Sequence, residues 1–323
     1  MIRRIFLVLV LLLSLSLNTA FSTDFFWYKG NIHCHTSRSD GDTPPIEVAK
    51  WYRLNGYHFL AITDHDIVTN GFSALHGNDF ITIPGEEVTD SYKGKPLHVN
   101  AINIIKAIKP MHGTSVVSIL QNDIDAIITA GGIAQLNHPN WHWAYNNVEI
   151  SKLKNVKLLE IYNHNKNHNN FGGGNHLSTE EIWDNLLTKG ILIYGTASDD
   201  AHTYKGKFTS DQLHPGKAWL QVKAPELKAV KIVDALMNGQ FYGTTGVILK
   251  NVVITDKQYI VDIRQIKDEK YKTIFIGKGG QVLATGYKLK AVYTFTGNEK
   301  YVRSKIISST GDFAITQPFL IKK

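Results

Sequence analysis

The sequence predicts an α/β fold, a parallel sheet or barrel over about residues 23–245, followed by a small all-β, sandwich-like domain over residues 246–323. In the first part, short apolar runs alternate with amphipathic stretches, which is the pattern of β/α units around a parallel sheet. In the second part, short strand-like runs are separated by turn residues, and no helical pattern is convincing. All 14 histidines lie between His33 and His214, so the first domain is expected to carry the chemistry.

The predicted parallel sheet or barrel contains seven candidate strands and four candidate helices. The strands are predicted at 31–33, 59–63, 81–88, 97–104, 133–136, 156–162 and 191–196. The helices are predicted at 45–54, 115–129, 178–188 and 225–238. Ser178 and Glu181 form a capping-box pattern, and Pro225 is placed in the first turn of the last helix. Function in such folds collects at the carboxyl ends of the strands.

The opening 22 residues have the composition of a secretory signal. Arg3 and Arg4 precede an apolar run from Ile5 to Leu17, and small residues follow up to Ser22. This order is typical of an exported protein, and the run is shorter than the ~20 residues of a membrane-spanning helix. The chain is therefore expected to be periplasmic or secreted, without a stable membrane span after cleavage. An uncleaved anchor is the alternative.

Composition excludes several other classes of protein. The chain is 43% hydrophobic and 20% charged, which is typical of a globular protein. The net charge of +7 is dispersed, so a nucleic-acid polymer is not an expected partner. Cys34 is the only cysteine, which excludes an internal disulfide and a zinc site built from several thiolates. The oligomeric state is not predicted.

Histidine and carboxylate side chains lie at or near the ends of most predicted strands. In chain order the motifs are HCHTSRSDG, TDHD, PGEEV, LHVN, NHPN and SDDAH. Alternate residues of a strand point to one face, so His33 and His35 can reach one ion while Cys34 points away. Imidazole together with carboxylate suits zinc, manganese and iron. The sequence therefore predicts a multinuclear metal site.

These six motifs, in this order, resemble the polymerase-and-histidinol-phosphatase (PHP) domain family. The resemblance spans about residues 28–246, roughly two-thirds of the chain. It implies a distorted (β/α)7 barrel with two to three divalent ions, zinc, manganese or iron, at the mouth where the strands end. It also implies hydrolysis of phosphate esters.

The resemblance implies nine ligands in three sets. His33, His35 and Asp200 match the first set, and Glu87 matches the carboxylate that bridges the first and second ions. His98 and His138 match the rest of the second set. The third set is matched by Asp40, His65 and His202. The spacing within the family motifs favours Glu87 over Glu86 and Asp200 over Asp199.

Two divalent ions about 3.5–4 Å apart can hold a hydroxide nucleophile at neutral pH, and a third can offset charge on the reacting phosphoryl group. The leaving oxygen then needs an acid. Asp64, Asp66 and Asp199 are candidates for this role. The alternative is that these carboxylates orient ligating imidazoles, which is common around metal sites.

Substrate contacts are predicted on loops. The loop 162–176, YNHNKNHNNFGGGNH, is long for a βα connection, and its Asn and His side chains, His164 among them, are candidate contacts for a sugar or phosphate. A plain surface loop is the alternative. Trp141, His142 and Trp143, which follow the NHPN motif, are candidates for an aromatic wall against a base or sugar, with core packing as the alternative.

Two basic residues, Arg38 and Lys217, are candidate phosphate partners or simply solvated charges. The expected substrate is a small phosphorylated molecule, namely a sugar phosphate, a nucleotide or a phosphodiester.

The leading hypothesis is an exported metal-dependent phosphoesterase. Hydrolysis of a C–N or C–O bond is a second possibility, because barrels that activate water on metal ions support several chemistries. A third is a metal-loaded surface protein that binds glycan through the β-domain.

Overall fold

The computed structural model describes residues 25–70, 72–209 and 213–321. The segment predicted as an export signal, residues 1–22, lies outside the described residues. Among the helices that are described, none is long and apolar enough to cross a membrane.

Seven strands of the first part form a distorted barrel. They are β1 (Phe26–Asn31), β2 (Phe59–Ile62), β3 (Ile81–Tyr92), β4 (Lys95–Ile102), β5 (Ile133–Leu136), β6 (Leu158–Asn163) and β7 (Tyr194–Ser198). They pair in chain order, and only β4 runs antiparallel to its neighbours. The barrel closes just beyond the ends of β1 and β7. There the backbone amide of Asp200 donates to the carbonyl of His33 (3.1 Å), and the backbone amide of His35 donates to the carbonyl of Ala201 (2.9 Å). This closure confirms the predicted fold class.

The first strand differs from its prediction. β1 ends at Asn31, so His33 and His35 lie just past the strand rather than at its end. The strand begins earlier because Phe26 pairs with Ala224 of β8 (Trp219–Ala224). Neither β8 nor β9 (Phe241–Thr244) was predicted, and the two pair with each other antiparallel.

Within the described residues, five α-helices accompany the barrel. They are α1 (Pro45–Leu54), α2 (Val116–Thr129), α3 (Asn147–Ile150), α4 (Thr179–Thr188) and α5 (Ala229–Met237). The predicted capping box is present, because the Ser178 hydroxyl accepts from the amide of Glu181 and the Glu181 side chain accepts from the amide of Ser178. The last helix begins later than predicted. Ala224 still belongs to β8, so the chain bends over 225–227 before the helix starts.

The C-terminal part is all β, as predicted. Its strands are β10 (Leu249–Ile254), β11 (Gln258–Ile263), β12 (Tyr271–Gly277), β13 (Gln281–Gly286), β14 (Lys290–Thr294), β15 (Tyr301–Ser308), β16 (Phe313–Thr316) and β17 (Phe319–Leu320). A sheet β10-β11-β14 faces a sheet β13-β12-β15-β16 across a shared core that includes Val261, Phe275 and Ile306. β16 pairs with β9. The predicted boundary at residue 245 is therefore crossed by a continuous sheet.

A buried ion pair fastens the C-terminal part to α4. Arg303 of β15 is 1% exposed, and its Nε and Nη2 donate to the two carboxylate oxygens of Asp184 at 2.8 and 2.7 Å. The Tyr301 hydroxyl donates to Asp184 as well (2.7 Å). The guanidinium lies 4.8 Å from the centre of the Trp183 ring. Burial alone would lower the pKa of Arg303, but Asp184 and Glu180 raise it above its ordinary value.

Candidate metal centre

The nine predicted ligands converge at the barrel mouth. They fall into four overlapping groups whose donor atoms lie within 4.8 Å of one another. The groups are His35, Asp40, His65 and His202; His33, His138 and Asp200; His33, His35 and Glu87; and His65, Glu87 and His98. Residues that are up to 169 positions apart in the sequence (33 to 202) are thus brought to one place by the barrel.

Glu87 lies at the centre of this arrangement. Its Oε2 is 3.2 Å from His35 Nε2 and 3.3 Å from His65 Nδ1. Its Oε1 is 3.1 Å from His98 Nδ1 and 3.3 Å from His138 Nε2. The two oxygens of one carboxylate therefore face two different sets of imidazoles, which is the geometry that a bridging ligand needs.

Asp200 faces the two histidines of the opening motif. Its Oδ1 lies 3.2 Å from His33 Nε2 and 3.2 Å from His35 Nε2. Asp200 Oδ1 and His33 Nε2 are both buried and have no hydrogen-bond partner among the described residues. Buried polar atoms are normally paired, and leaving them unpaired costs free energy. A cation between them would satisfy both, so these residues fit the implied divalent ions.

Asp40 forms the open side of the centre. Its side chain is 53% exposed, and its Oδ2 lies 3.3 Å from His202 Nε2 and 3.6 Å from His65 Nε2. The rings of His35 and His202 stack at 4.2 Å. An ion held by Asp40 would be the most accessible to solvent and to a substrate.

The charges of the centre compensate one another. Burial alone would lower the pKa of His33, but Asp200, Glu160 and Glu87 raise it well above its ordinary value. Burial alone would raise the pKa of Glu87, but His33 and His98 hold it well below its ordinary value. An imidazole must give up its proton to bind a metal ion, so protons and metal ions compete for the nitrogens of these histidines.

Glu160 of β6 supports the centre and was missed by the sequence analysis. It is 1% exposed, and its Oε1 lies 2.8 Å from His33 Nδ1, while its Oε2 accepts from the amide of His138 (3.0 Å). Binding at Nδ1 leaves Nε2 of His33 to face the ion, which is the usual arrangement of a carboxylate behind a ligating histidine. The sequence signal that could have identified Glu160 is its position as the single acidic residue in the otherwise apolar run LLEIY.

Asp64 holds the loop that carries His35 and Asp40. Its carboxylate accepts from the amide of Thr36 (2.7 Å) and from the hydroxyls of Ser39 (2.9 Å) and Thr69 (2.5 Å). Asp64 belongs to none of the four donor groups. These contacts favour the positioning alternative over an acid. The neighbouring candidate Asp66 is exposed and accepts from the amide of Thr89 (2.9 Å).

Asp199 points away from its neighbour Asp200. It accepts from the Tyr52 hydroxyl (3.1 Å), from the Asn31 amide (3.0 Å) and from the amides of residues 216–218. Burial raises its pKa to about 6. Five donors on one carboxylate are typical of a group that fixes loops, and the spacing that favoured Asp200 as the ligand agrees with this geometry.

Arg38 and His142 lie at the surface. Arg38 Nη1 donates to the carbonyl of Val68 at 3.1 Å, so its guanidinium is engaged by the neighbouring loop. His142 is exposed and has a left-handed backbone, with φ of 51°. Neither residue belongs to the donor groups.

Trp141, rather than His142, forms the aromatic wall. The centre of its ring lies 5.3 Å from that of His98 and 5.2 Å from that of His138. Trp143 stacks instead on His176 at 4.1 Å, away from the ligands. Of the three residues predicted for an aromatic wall, only Trp141 therefore contacts the predicted ligands at the barrel mouth.

His164 and Lys217 line a cleft of about 630 Å³ between the barrel and the C-terminal part. Lys305 and Asp312 of the C-terminal part line the same cleft. Burial, with His214 and Lys217 nearby, lowers the pKa of His164 to about 4. Two of the four predicted substrate contacts thus line one cleft, and neither belongs to the donor groups.

Cys34, which stands between the predicted ligands His33 and His35 in the sequence, is fully buried and packs with Val48, Tyr52 and Leu60. Burial raises the pKa of its thiol well above the ordinary value. We expect Cys34→Ala to retain metal content and activity within about twofold and to lower the free energy of unfolding by about 1 kcal/mol. His33→Ala should lose both metal and activity. Equal metal loss in the two variants, measured on purified protein, would show that the thiol is a ligand.

Comparisons with known proteins give partial likenesses. No protein-family model matches the chain. A stretch of 83 residues, 24% of this chain and 30% of the relative's length, is 30% identical to a 5'-3' exoribonuclease of Haemophilus influenzae. The chain thus spans less than a third of that relative.

Several solved structures are similar to this chain, including the following two. One, from Bacteroides vulgatus, is a two-domain protein containing a predicted PHP-like metal-dependent phosphoesterase; it is 17% identical over 88% of this chain and 90% of its own, with a TM-score of 0.49. The other is an amidohydrolase of Chromobacterium violaceum, 15% identical over 54% of this chain and 87% of its own, with a TM-score of 0.40. At these similarities, the donor set of this chain remains the basis for assigning a function.

Proposed function

We propose that the protein is a metal-dependent phosphoesterase of the PHP family, which hydrolyses phosphate mono- or diesters at a centre of two or three divalent ions. The observation that carries the proposal is the convergence of nine imidazole and carboxylate donors around Glu87. Such a set suits zinc, manganese or iron. Nine donors exceed the four that a single structural zinc site uses, which supports more than one ion.

The residues of this centre have different roles. Divalent ions held by these residues would activate a water molecule for attack and would offset negative charge on the phosphoryl group. Glu87 and Asp200 provide buried negative charge that retains the ions, while Glu160 fixes the ring of His33. The exposed side at Asp40 leaves the mouth open to a substrate.

The proposed substrate is a small phosphorylated molecule: a sugar phosphate, a nucleotide or a phosphodiester. Trp141, against two ligands, offers an apolar wall for the organic part of such a molecule. The likeness to an exoribonuclease supports phosphodiester chemistry. The dispersed charge of the chain argues against a polymer.

We further propose that the protein is exported. The basic start and the short apolar run of residues 1–22 support this. Amino-terminal sequencing of the protein recovered outside the cytoplasm should begin near residue 23. An intact Met1 on protein that remains in the cytoplasm would contradict export.

A panel of substrates tests the proposed chemistry. Wild-type protein should hydrolyse at least one phosphate mono- or diester, lose this activity after chelation and regain it with manganese or zinc. The panel includes an amide and a lactone as matched non-phosphate substrates. Hydrolysis of these with none of the phosphate esters would replace the proposed phosphoesterase by a C–N or C–O hydrolase.

A further inference from the structure

His168 lies in the loop between β6 and α4 and was not among the predicted ligands. Its side chain is buried, and within the described parts of the chain its Nδ1 has no hydrogen-bond partner. Its ring packs on that of His138 at 4.4 Å, and Nδ1 lies 3.7 Å from Asp200 Oδ2. Buried polar atoms are normally paired. An unpaired imidazole nitrogen beside His138 and Asp200 therefore needs a functional explanation.

The loop itself fixes which nitrogen of His168 carries a proton. Asn165 Oδ1 accepts from the amide of Asn167 at 3.0 Å, which orients the Asn165 side chain. Its Nδ2 therefore faces His168 Nε2, at 3.4 Å. An amide nitrogen only donates, so Nε2 accepts and the proton resides on Nδ1. His168 thus presents an N–H donor toward Asp200.

The two oxygens of Asp200 have different surroundings. Oδ1 faces His33 and His35, each at 3.2 Å. Oδ2 accepts from the side-chain amide of Asn163 at 3.1 Å. The distance from His168 Nδ1 to Oδ2 is 3.7 Å, about 0.7 Å longer than an ordinary N–H···O bond, so the two atoms must approach each other for a hydrogen bond to form.

We propose that His168 is a positioning residue for the metal centre. Its Nδ1–H donates to Asp200 Oδ2 and, together with Asn163, keeps Oδ1 directed at the ion between His33 and His35. This inference rests on the metal centre of the proposed function. It adds a role for the loop that the sequence marked only as a place for substrate contacts.

The loop is held in the position that this role requires. The side-chain amide of Asn140 donates to the carbonyl of Asn169 (3.0 Å), and that of Asn169 donates back to the carbonyl of Asn140 (3.2 Å). Asn170 exchanges hydrogen bonds with Asn163 at 3.0 and 2.7 Å. The loop is therefore tied through Asn163 to Asp200, so order in the loop supports the position of that carboxylate.

Metal affinity tests this role without relying on turnover. We compare dissociation constants for Mn²⁺ and Zn²⁺, measured on the full chain by competition with a chelator. His168→Gln and His168→Leu remove the donor at the Nδ1 position and should weaken binding of one ion by about 10–100-fold. His168→Asn places an amide N–H near the position of Nδ1 and should stay within about threefold of wild type. His176→Leu, on the same loop but stacked on Trp143, should equal wild type.

Two results would overturn the inference. Affinities of His168→Gln and His168→Leu equal to wild type would show that Asp200 needs no second donor. An equal loss in His168→Asn and His168→Gln would show that packing, not the Nδ1–H, matters. Either result leaves the phosphoesterase proposal standing if wild type binds metal and hydrolyses an ester, whereas wild-type protein without metal would remove both.

Discussion

Glu87→Ala is expected to abolish hydrolysis, lowering kcat/KM by at least about 10³-fold. Its carboxylate faces two sets of imidazoles, with contacts of 3.1 to 3.3 Å to four histidines. Metal ions contribute several kcal/mol of charge stabilisation in such reactions, and each 1.4 kcal/mol is a factor of ten in rate. Metal content, measured on the same preparation, should fall by at least one ion per chain.

Glu86→Gln provides the matched control for Glu87→Ala. Glu86 is the adjacent residue on β3, but its Oε1 accepts from the amide of Ile108 at 2.6 Å, away from the centre. A glutamine retains an oxygen for that amide. Metal content and activity should therefore stay near wild type. If Glu86→Gln lost metal as completely as Glu87→Ala, the bridging role of Glu87 would be untenable.

Asp184→Ala is expected to lower the free energy of unfolding by about 3–5 kcal/mol, because it leaves the buried guanidinium of Arg303 without its bidentate partner. A loss of this size should lower the midpoint of thermal unfolding by at least about 6 °C. Differential scanning calorimetry of the full chain measures it.

Two controls separate the buried pair from charge effects in general. Glu47→Ala breaks an exposed pair with Lys50 and should cost less than about 0.5 kcal/mol. The double variant Asp184→Leu, Arg303→Met removes both charges and should be less destabilised than Asp184→Ala. If Asp184→Ala matched Glu47→Ala, the pair would not be what fastens the C-terminal part to the barrel.

The sequence allows the donors of the site to be predicted more completely than the fold around them. Short motifs contain His33, Glu87 and Asp200, and the imidazole and carboxylate groups of these motifs indicate metal binding. A strand end positions such residues whatever the details of the strand, so the shift of β1 to end at Asn31 left the ligands in place. The choice between Glu86 and Glu87 depended on the resemblance, since strand alternation alone does not say which face is inward.

The parts that were missed depend on long-range pairing. β8 and β9 are short and could not be separated from loops, because β8 is defined by its pairing with β1 across nearly two hundred residues. Glu160 on β6 contacts His33, and His168 in the following loop lies near Asp200. Neither residue stands in a motif, and both contacts join residues that are far apart in the sequence. Local patterns predict which residues can bind an ion, while the residues that orient them become visible only in three dimensions.

The most direct test of the account is the metal content of purified, full-length wild-type protein, measured by inductively coupled plasma mass spectrometry after dialysis against metal-free buffer. The nine converging donors predict two to three divalent ions per chain, of zinc, manganese or iron. A content well below one ion per chain, in folded protein that had been offered these metals, would contradict the central claim.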